Sequence, residues 1–172
     1  MRERLSGIAL FLCAAVALSL ESVAGDTRCR YTAEWSAMQA AVIELVNDDG
    51  VTISLRTRIA DEVGERAMGF QHICPAAVQD NSILFVFPSS QEVNFHMHNV
   101  HSALDIAFVS DSGRIVDVQL MWPYDKQSSS LKPRYGPTVP IRYALEARPG
   151  FFQAHHISPQ GSRLVLSSID GN

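Results

Sequence analysis

The sequence predicts a mainly β domain of the α+β class: a small antiparallel barrel or curled sheet of about seven strands with one or two short helices. Short segments in which apolar and polar residues alternate recur along the chain, and clusters of Asn, Asp, Gly or Ser separate them. Few segments carry helix signals. The composition, 47% hydrophobic and 19% charged in 172 residues, is sufficient for one buried core.

The N-terminal segment has the features of a secretory signal peptide, which we predict to be residues 1–24. Arg2 and Arg4 precede an apolar run at 8–20, which is shorter than the roughly 20 residues of a membrane span. Small residues at 22–24 suit cleavage near Ala24, and the alternative is an uncleaved anchor. We therefore expect a periplasmic or secreted protein that meets the membrane only through this segment.

Residues 25–39 show no clear period and form an N-terminal lead-in, and residues 40–172 are expected to form a single β-rich domain. Cys29 and Cys74 remain after cleavage. An oxidising compartment allows them to form a disulfide. The alternative is two free thiols, because sequence spacing does not show that the two Cα atoms approach each other.

The predicted elements follow the chain in order. Two hairpins are predicted, the first around the Asn-Asp-Asp-Gly turn at 47–50 and the second around Asp-Ser-Gly at 111–113. Asp61 is a candidate N-cap for a helix over 62–70, and 149–156 suits a helical turn. The segment 124–140 is rich in Ser, Pro, Lys and Gly and is predicted to be a long exposed loop. The predicted strands are 41–46, 51–59, 82–88, 93–99, 104–109, 114–122, 141–147 and 162–167.

Several short motifs in this order resemble one protein family. They are Ile59-Ala-Asp-Glu-Val-Gly-Glu-Arg-Ala-Met-Gly-Phe70, Ile83-Leu-Phe-Val-Phe-Pro88, Phe95-x-Met97-x-Asn99, Leu104-Asp-Ile106, Arg142-Tyr-Ala-Leu-Glu146 and Pro149-Gly150. The set resembles the domain-of-unknown-function 192 family over roughly 54–166. The resemblance implies a compact β-rich domain, often secreted, and implies no reaction, because no activity is established for the family as a class.

The chain departs from the family pattern at several positions, and four of them lie in or just after one motif. Where the family usually has Trp-Met-Lys-Asn-Thr, this chain has His96-Met-His-Asn-Val100, and Ala103 replaces the proline before Leu-Asp. Any role that relatives give to the aromatic or the lysine is therefore not inherited by His96 or His98.

The histidine-rich stretch NFHMHNVHSALD, residues 94–105, is the main candidate for a functional surface. Strand alternation would direct Phe95 and Met97 to the core, together with Phe85 and Phe87 of an earlier strand. The same alternation would direct the polar side chains to one outer face, unless they only satisfy backbone groups at a bend. The predicted ligand-binding residues are Asn94, His96, His98, Asn99, Asp105 and Trp122.

The same stretch carries an alternative prediction of metal binding. His96 and His98 at i and i+2 would project side by side, and His101 would be a third ligand for zinc or copper. No H-E-x-x-H motif and no Cys pair at zinc spacing accompanies them. The plain alternative is that these histidines lie on the wet side of a strand.

Other functional classes find little support. The net charge of −4 does not provide the basic field of a nucleic-acid binder. The chain lacks Gly-x-Ser-x-Gly and any phosphate-cradling glycine loop. We therefore favour a non-enzymatic binding or accessory module of the cell envelope over a metal-binding protein or metal-dependent enzyme. Its partner would be a small molecule, a glycan or an envelope protein, with Trp122 and the tyrosines either lining a groove or partly buried.

Overall fold

The computed structural model describes residues 29–124 and 132–170, so the predicted signal peptide lies outside the described residues. Seven strands form the domain: β1 (Gln39–Val46), β2 (Thr52–Ala60), β3 (Ile83–Gln91), β4 (Leu104–Val109), β5 (Ile115–Met121), β6 (Ile141–Ala147) and β7 (Arg163–Leu164). Five short helices accompany them: α1 (Ala33–Ala37), α2 (Val63–Met68), α3 (Pro75–Asp80), α4 (Phe151–Ala154) and α5 (Ser167–Asp170).

All seven strands belong to one sheet, in the order β5-β4-β6-β3-β2-β1-β7. Neighbouring strands are antiparallel except β2 and β3, which are parallel over three residue pairs. The sheet curls until Arg114, just before β5, forms an isolated bridge with Arg163 of β7, but it does not close. The predicted curled, mainly β fold is confirmed. The additional helices are four to six residues long, too short to give a helical period in the sequence.

The first hairpin forms because Asn47 organises its turn. Its Oδ1 accepts the backbone N–H groups of Asp49 and Val51 at 3.0 and 2.8 Å, as Asn side chains commonly do in turns. Gly50 follows with a φ of +78°, a conformation that glycine adopts without strain. The β1–β2 register then pairs Val46 with Thr52.

The N-cap of helix α2 lies one residue later than the predicted N-cap, Asp61. Glu62 is the N-cap, and Glu65 completes a capping box by accepting the N–H of Glu62 at 3.2 Å. Gly69 ends the helix at a φ of +50°. A Cβ at this position would lie 3.1 Å from Cζ of Phe85, so glycine lets the helix end pack directly on strand β3.

The predicted strand over 93–99 is wrong. Only Phe95 pairs there, through an isolated bridge with Tyr135 in which each N–H donates to the other carbonyl, at 2.7 and 3.0 Å. Asn99 then turns the chain with a φ of +56°. The alternation that resembled a strand is therefore an irregular loop, 92–103, that crosses one face of the sheet.

The sheet is buried on both faces. Every residue of β4 is buried, with Ile106 and Phe108 in one hydrophobic cluster and Ala107 and Val109 in the other. The first cluster lies on the side of the sheet that α1 and α3 cover, here called the helix side, although α4 and α5 pack on the other side. This cluster also includes Trp35 of α1 and Met97 of the loop. No helix among the described residues is both long and apolar enough to cross a membrane.

The N-terminal lead-in is attached to the helix side of the sheet. Cys29 and Cys74 form a disulfide in the structure, with an S–S distance of 2.13 Å and Cα atoms 4.8 Å apart. Arg30 N–H donates to the carbonyl of His72 at 2.7 Å. The ring of Trp35 packs on Phe70 with centroids 5.2 Å apart. The disulfide therefore links the lead-in to the segment that follows α2.

Candidate functional site

A cavity of about 340 Å³ lies on the helix side, between α2 and the loop that crosses the sheet. This volume is within the range of small-molecule sites. Phenylalanine rings and other apolar side chains line about half of it, and polar side chains, two of them arginines, line the rest. The lining residues are Arg66, Ala67, Met68, Gly69, Phe70, Gln71, Phe85, Phe87, Val93, Asn94, Phe95, His96, Val100, Arg134 and Glu146.

Glu146 lies at the closed end of this cavity, which is the part lined by buried residues, among them Phe70 and Phe85. Strand β6 places it between Ile83 of β3 and Ile106 of β4, its partners on either side. Only 5% of the residue is exposed, and its Oε2 has no hydrogen-bond partner. That oxygen would lie 3.7 Å from a Cβ on Gly69, so the missing side chain of Gly69 leaves the carboxyl close to α2.

Burial raises the pKa of Glu146 to about 8. A carboxylate removed from water with no cation or N–H group beside it is costly, so the neutral acid is favoured. At pH 7 Glu146 is therefore mostly protonated, and the carboxyl of this lining residue has an O–H to donate in a hydrogen bond.

Phenylalanine rings form the walls. Phe85 and Phe95 meet edge to face with centroids 5.0 Å apart, and Phe95 lies 5.9 Å from Phe108. The predicted burial of Phe85 and Met97 is confirmed, at 2% and 1% exposure. Phe87 and Phe95 are only partly buried, although they pack against the core, since both also line the cavity.

The outer part of the cavity is positively charged. Arg66 is held by the carbonyls of Asp61 and Val86, which both accept from its Nη1, the second at 3.1 Å. Its guanidinium lies 5.9 Å from the ring of Phe87. Arg134 also lines the cavity and is exposed. With Glu146 neutral, these two arginines give the lining a net positive charge.

The position of Arg134 depends on Gly136. A Cβ on Gly136 would lie 2.6 Å from the carbonyl oxygen of Val93 and 3.0 Å from Oδ1 of Asn94. Only a glycine fits that approach without a shift. The segment 134–136 therefore runs directly against the loop and brings Arg134 to the cavity.

His96 is the one predicted metal ligand that lines the cavity. Burial, followed by the nearby charge of Arg134, lowers the pKa of His96, so its ring is neutral at pH 7. Its Nδ1 accepts the backbone N–H of His98 at 3.3 Å, which places the ring proton on Nε2. His96 is therefore a second neutral polar group at the cavity wall.

The three histidines do not form a ligand group. The rings of His96 and His98 are 6.3 Å apart and nearly perpendicular, and Nε2 of His101 is buried without a partner. Within residues 29–124 and 132–170, no three His, Cys, Asp or Glu side chains are arranged to hold a metal ion. The loop separates these rings because it lacks the strand geometry on which the spacing argument depended.

The predicted outer face shared by Asp105 and the histidines is also wrong. Asp105 is 8% exposed, pairs with Ala147 across β4 and β6, and lies on the opposite side of the sheet from Glu146. Its carboxylate accepts backbone N–H groups at the start of α4, from Gly150, Phe152 and Phe151. The Leu-Asp and Pro-Gly motifs of the sequence therefore meet in this cap.

Two further predicted ligand residues lie away from the cavity lining. Asn99 turns the loop, and its carbonyl accepts the N–H of His72 at 2.8 Å, which holds the loop against the end of α2. Trp122 is 52% exposed, and its N–H donates to the hydroxyl of Tyr135 at 3.2 Å. Of the predicted ligand-binding set, only Asn94 and His96 line the cavity.

Sequence reasoning missed Glu146, Arg66 and Arg134 as site residues. A signal was present for Glu146, because a charged residue in the apolar run Tyr143–Ala147 must be either paired or functional. Nothing in the sequence indicated that the segment around Arg134 would approach α2. The motifs that carry the family resemblance nevertheless contribute most of the lining, from Arg66 to Phe70, Phe85, Phe87, Phe95 and Glu146.

Comparison with known proteins agrees with the fold and gives no reaction. The family model described as DUF192, Uncharacterized ACR, matches residues 43–166. No curated protein matches the chain.

Two solved structures resemble the fold. One is from Sinorhizobium meliloti 1021 and is described as a "putative transcription regulator"; it is 24% identical with a TM-score of 0.63, over 74% of this chain and 94% of that one. The other is a protein of unknown function from Novosphingobium aromaticivorans DSM 12444, 20% identical with a TM-score of 0.63, over 76% of this chain and 87% of that one. At these identities the likeness concerns the fold alone.

Proposed function

This chain belongs to the DUF192 family, whose description assigns no activity, and we propose that it is an exported, non-enzymatic binding module for a small molecule that has an apolar body and polar groups. The observation that carries the proposal is the cavity of about 340 Å³ whose lining includes Glu146, a buried residue with a carboxyl oxygen, Oε2, that has no hydrogen-bond partner. A cavity of this size, in which aromatic side chains and converging polar groups meet, has features of a small-molecule site.

The alternative explanation is that the cavity is only a packing defect. A defect would leave an apolar void, whereas here Glu146 carries an orphaned oxygen at the cost of an unmade hydrogen bond. Replacing such a group by an apolar one of similar shape is often neutral or stabilising. A ligand that provides the missing hydrogen-bond partner would explain why Glu146 is present despite its cost in stability.

Titration of the isotope-labelled mature protein with three probes of the same size tests the proposal. The probes are 3-phenylpropionate, 3-phenylpropionamide and 3-phenylpropylamine, an anion, a neutral amide and a cation. We expect at least one probe to shift the backbone NMR signals of Gly69, Phe87 and Phe95. Signals around Trp122, on the surface predicted from the sequence, should stay in place.

A pair of variants controls this experiment. Phe87→Ala removes one wall and should weaken binding about tenfold, because a stacked ring and its buried area are lost. Trp122→Ala removes an exposed ring outside the cavity and should leave binding unchanged. The proposal is overturned if no probe shifts the cavity signals, or if the Trp122 variant alone loses binding.

Export is a separate part of the proposal. It is supported by the charged and apolar pattern of residues 1–24 and by two cysteines close enough to pair, which suits an oxidising compartment. N-terminal sequencing of exported protein should find a chain that starts near Gly25. Mature material that still carries Arg2 or Leu5 would contradict cleavage.

A further inference from the structure

We propose that the cavity selects a small organic anion that carries a carbonyl group. Its carbonyl oxygen accepts a hydrogen bond from Glu146 at the closed end, its apolar body lies between the phenylalanine rings, and its carboxylate lies at the rim beside Arg66 and Arg134. This inference rests on the proposed function, because it names the chemical class of the ligand in that same cavity.

The charges of the lining residues determine whether the cavity favours a negatively or a positively charged ligand. Arg66 and Arg134 are always protonated, and His96 is neutral because burial and Arg134 lower its pKa. Glu146 is the only acid among the described residues of the lining, and burial keeps it mostly protonated at pH 7. A cationic ligand would meet two like charges at the rim, and an anion would meet two opposite ones.

Both arginines have donors to offer. The two side-chain hydrogen bonds that Arg66 makes with the described residues use Nη1 alone, so its Nη2 and Nε remain for a ligand. The backbone carbonyls that accept from Arg66 and the ring of Phe87 hold the guanidinium in place. The Arg66 side chain therefore loses less conformational entropy when a ligand binds. Arg134 makes no hydrogen bond with the described residues and is exposed at the rim.

The closed end requires a different partner. A protonated carboxyl group has one O–H donor, so the fitting group is an uncharged acceptor such as a ketone or amide oxygen. Asn94 and Gln71 add amide groups to the lining but bring no charge. The cavity therefore has a neutral donor inside and cations outside, with phenylalanine rings between them.

The test uses 3-benzoylpropionate, which carries both groups, with two matched compounds. 3-Benzoylpropionamide lacks the negative charge, and 4-phenylbutyrate lacks the ketone oxygen. In the mature protein at pH 7 we expect calorimetry to rank the keto acid first. The amide should bind about tenfold more weakly, and 4-phenylbutyrate about fivefold more weakly, the range of a single hydrogen bond.

Variants assign each effect to a residue. Arg134→Gln should reduce affinity for the keto acid about threefold and leave affinity for its amide unchanged. Glu146→Met replaces the donor by an unbranched apolar chain and should abolish the preference for the ketone. Glu146→Gln keeps an N–H donor and should retain that preference, which separates lost hydrogen bonding from altered packing.

The outcomes distinguish this inference from the proposed function. If the amide or 3-phenylpropylamine binds as tightly as the keto acid, the cavity binds ligands but the assigned class is wrong. If Glu146→Met keeps the preference for the ketone, the contact at the closed end is wrong. If no compound of any charge shifts the cavity signals, the proposed function itself falls.

Discussion

Asp105 and Glu146 are two buried carboxyl groups on neighbouring strands, and they differ in how their oxygens are satisfied. The β4–β6 register pairs Asp105 with Ala147 and Ile106 with Glu146, so the two acids point to opposite faces of one sheet. They are 8% and 5% exposed. Asp105 accepts three backbone N–H groups, whereas Oε2 of Glu146 has no partner.

The electrostatics follow from that difference. Burial raises the pKa of both groups, but around Asp105 the N–H groups of α4 and the charge of Arg148 oppose the rise. Nothing opposes it at Glu146, where the pKa reaches about 8. A buried acid whose hydrogen bonds are made has a structural role, whereas a buried acid that lines a cavity and has an unpartnered oxygen is a candidate for binding.

The largest expected effect concerns the disulfide, which lies on the Glu146 side of the sheet. Reduction, or Cys29→Ser together with Cys74→Ser, should lower the free energy of unfolding by about 4 kcal/mol, because a 45-residue separation is no longer closed in the unfolded chain. Urea unfolding measures the loss. Thiol titration of the unreduced, denatured protein should find no free thiol.

Hydrogen exchange shows whether the two sides of the sheet respond separately. After reduction, amides at 70–74 should exchange faster, while those of Gly150 and Phe152 beside Asp105 should keep their protection. Equal loss of protection at both places would mean that the two sides of the sheet do not respond separately to reduction. Two free thiols in the unreduced protein would contradict the disulfide itself.

The next effect is expected at Asp105. Asp105→Ala should lower the free energy of unfolding by about 3 kcal/mol, because buried N–H groups at the start of α4 lose their acceptor. Asp111→Ala, in the exposed turn that joins β4 to β5, is the control and should change the free energy of unfolding by less than about 0.5 kcal/mol. Equal effects for the two variants would show that the cap contributes little.

The sequence predicted the elements better than it predicted the surroundings of these two acids. Local patterns determine hairpins and strands, so β1, β2, β4, β5 and β6 lie where alternation and turn residues indicated. The predicted strand over 93–99 was wrong because strand pairing depends on contacts between distant segments, such as that of Phe95 with Tyr135. A short alternating stretch has the same sequence pattern whether or not such pairing continues along it.

Part of the candidate site could also be predicted, because some of its residues are marked by local residue type alone. His96 and Asn94 were selected because their residue types are polar within an apolar stretch, and the same rule applied to 141–147 would have selected Glu146. Arg66 and Arg134 reach the cavity only because Gly69 and Gly136 allow close approaches. Such approaches depend on tertiary structure, and a single sequence does not reveal them.

A pH series isolates Glu146. The native pKa is raised from 4.5 to about 8, so between those values the native state binds a proton that the unfolded state has released. Stability should therefore fall as pH rises through this window and stop falling above about 8. Between pH 6 and pH 9 the wild type should lose roughly 3 kcal/mol more than Glu146→Gln, which has no proton to release.

Glu44→Gln is the matched control for the pH series, since it removes one negative charge from another strand of the same sheet, β1. It tests whether net charge alone changes the slope. If Glu146→Gln and Glu44→Gln give the same pH dependence, Glu146 is not the group responsible, and the contrast with Asp105 loses its electrostatic basis.

The smallest effect is expected from metal ions, and it decides whether Glu146 or the histidine loop defines the site. Zinc or copper at low micromolar concentration should leave the melting temperature unchanged, because the described residues offer no group of three ligands. His96 also keeps its Nδ1 engaged with the N–H of His98. Scanning calorimetry with each ion, and again after a chelator, measures the shift.

The contrary result would be specific. A rise of several degrees that a chelator reverses, and that His96→Ala with His98→Ala abolishes but His155→Ala does not, would mean that an ion binds the native state. Its affinity should then fall as pH drops through about 6.5, since a protonated imidazole has no lone pair for a metal. That outcome would move the functional site from the cavity to the loop and leave Glu146, like Asp105, as a buried acid with a structural role.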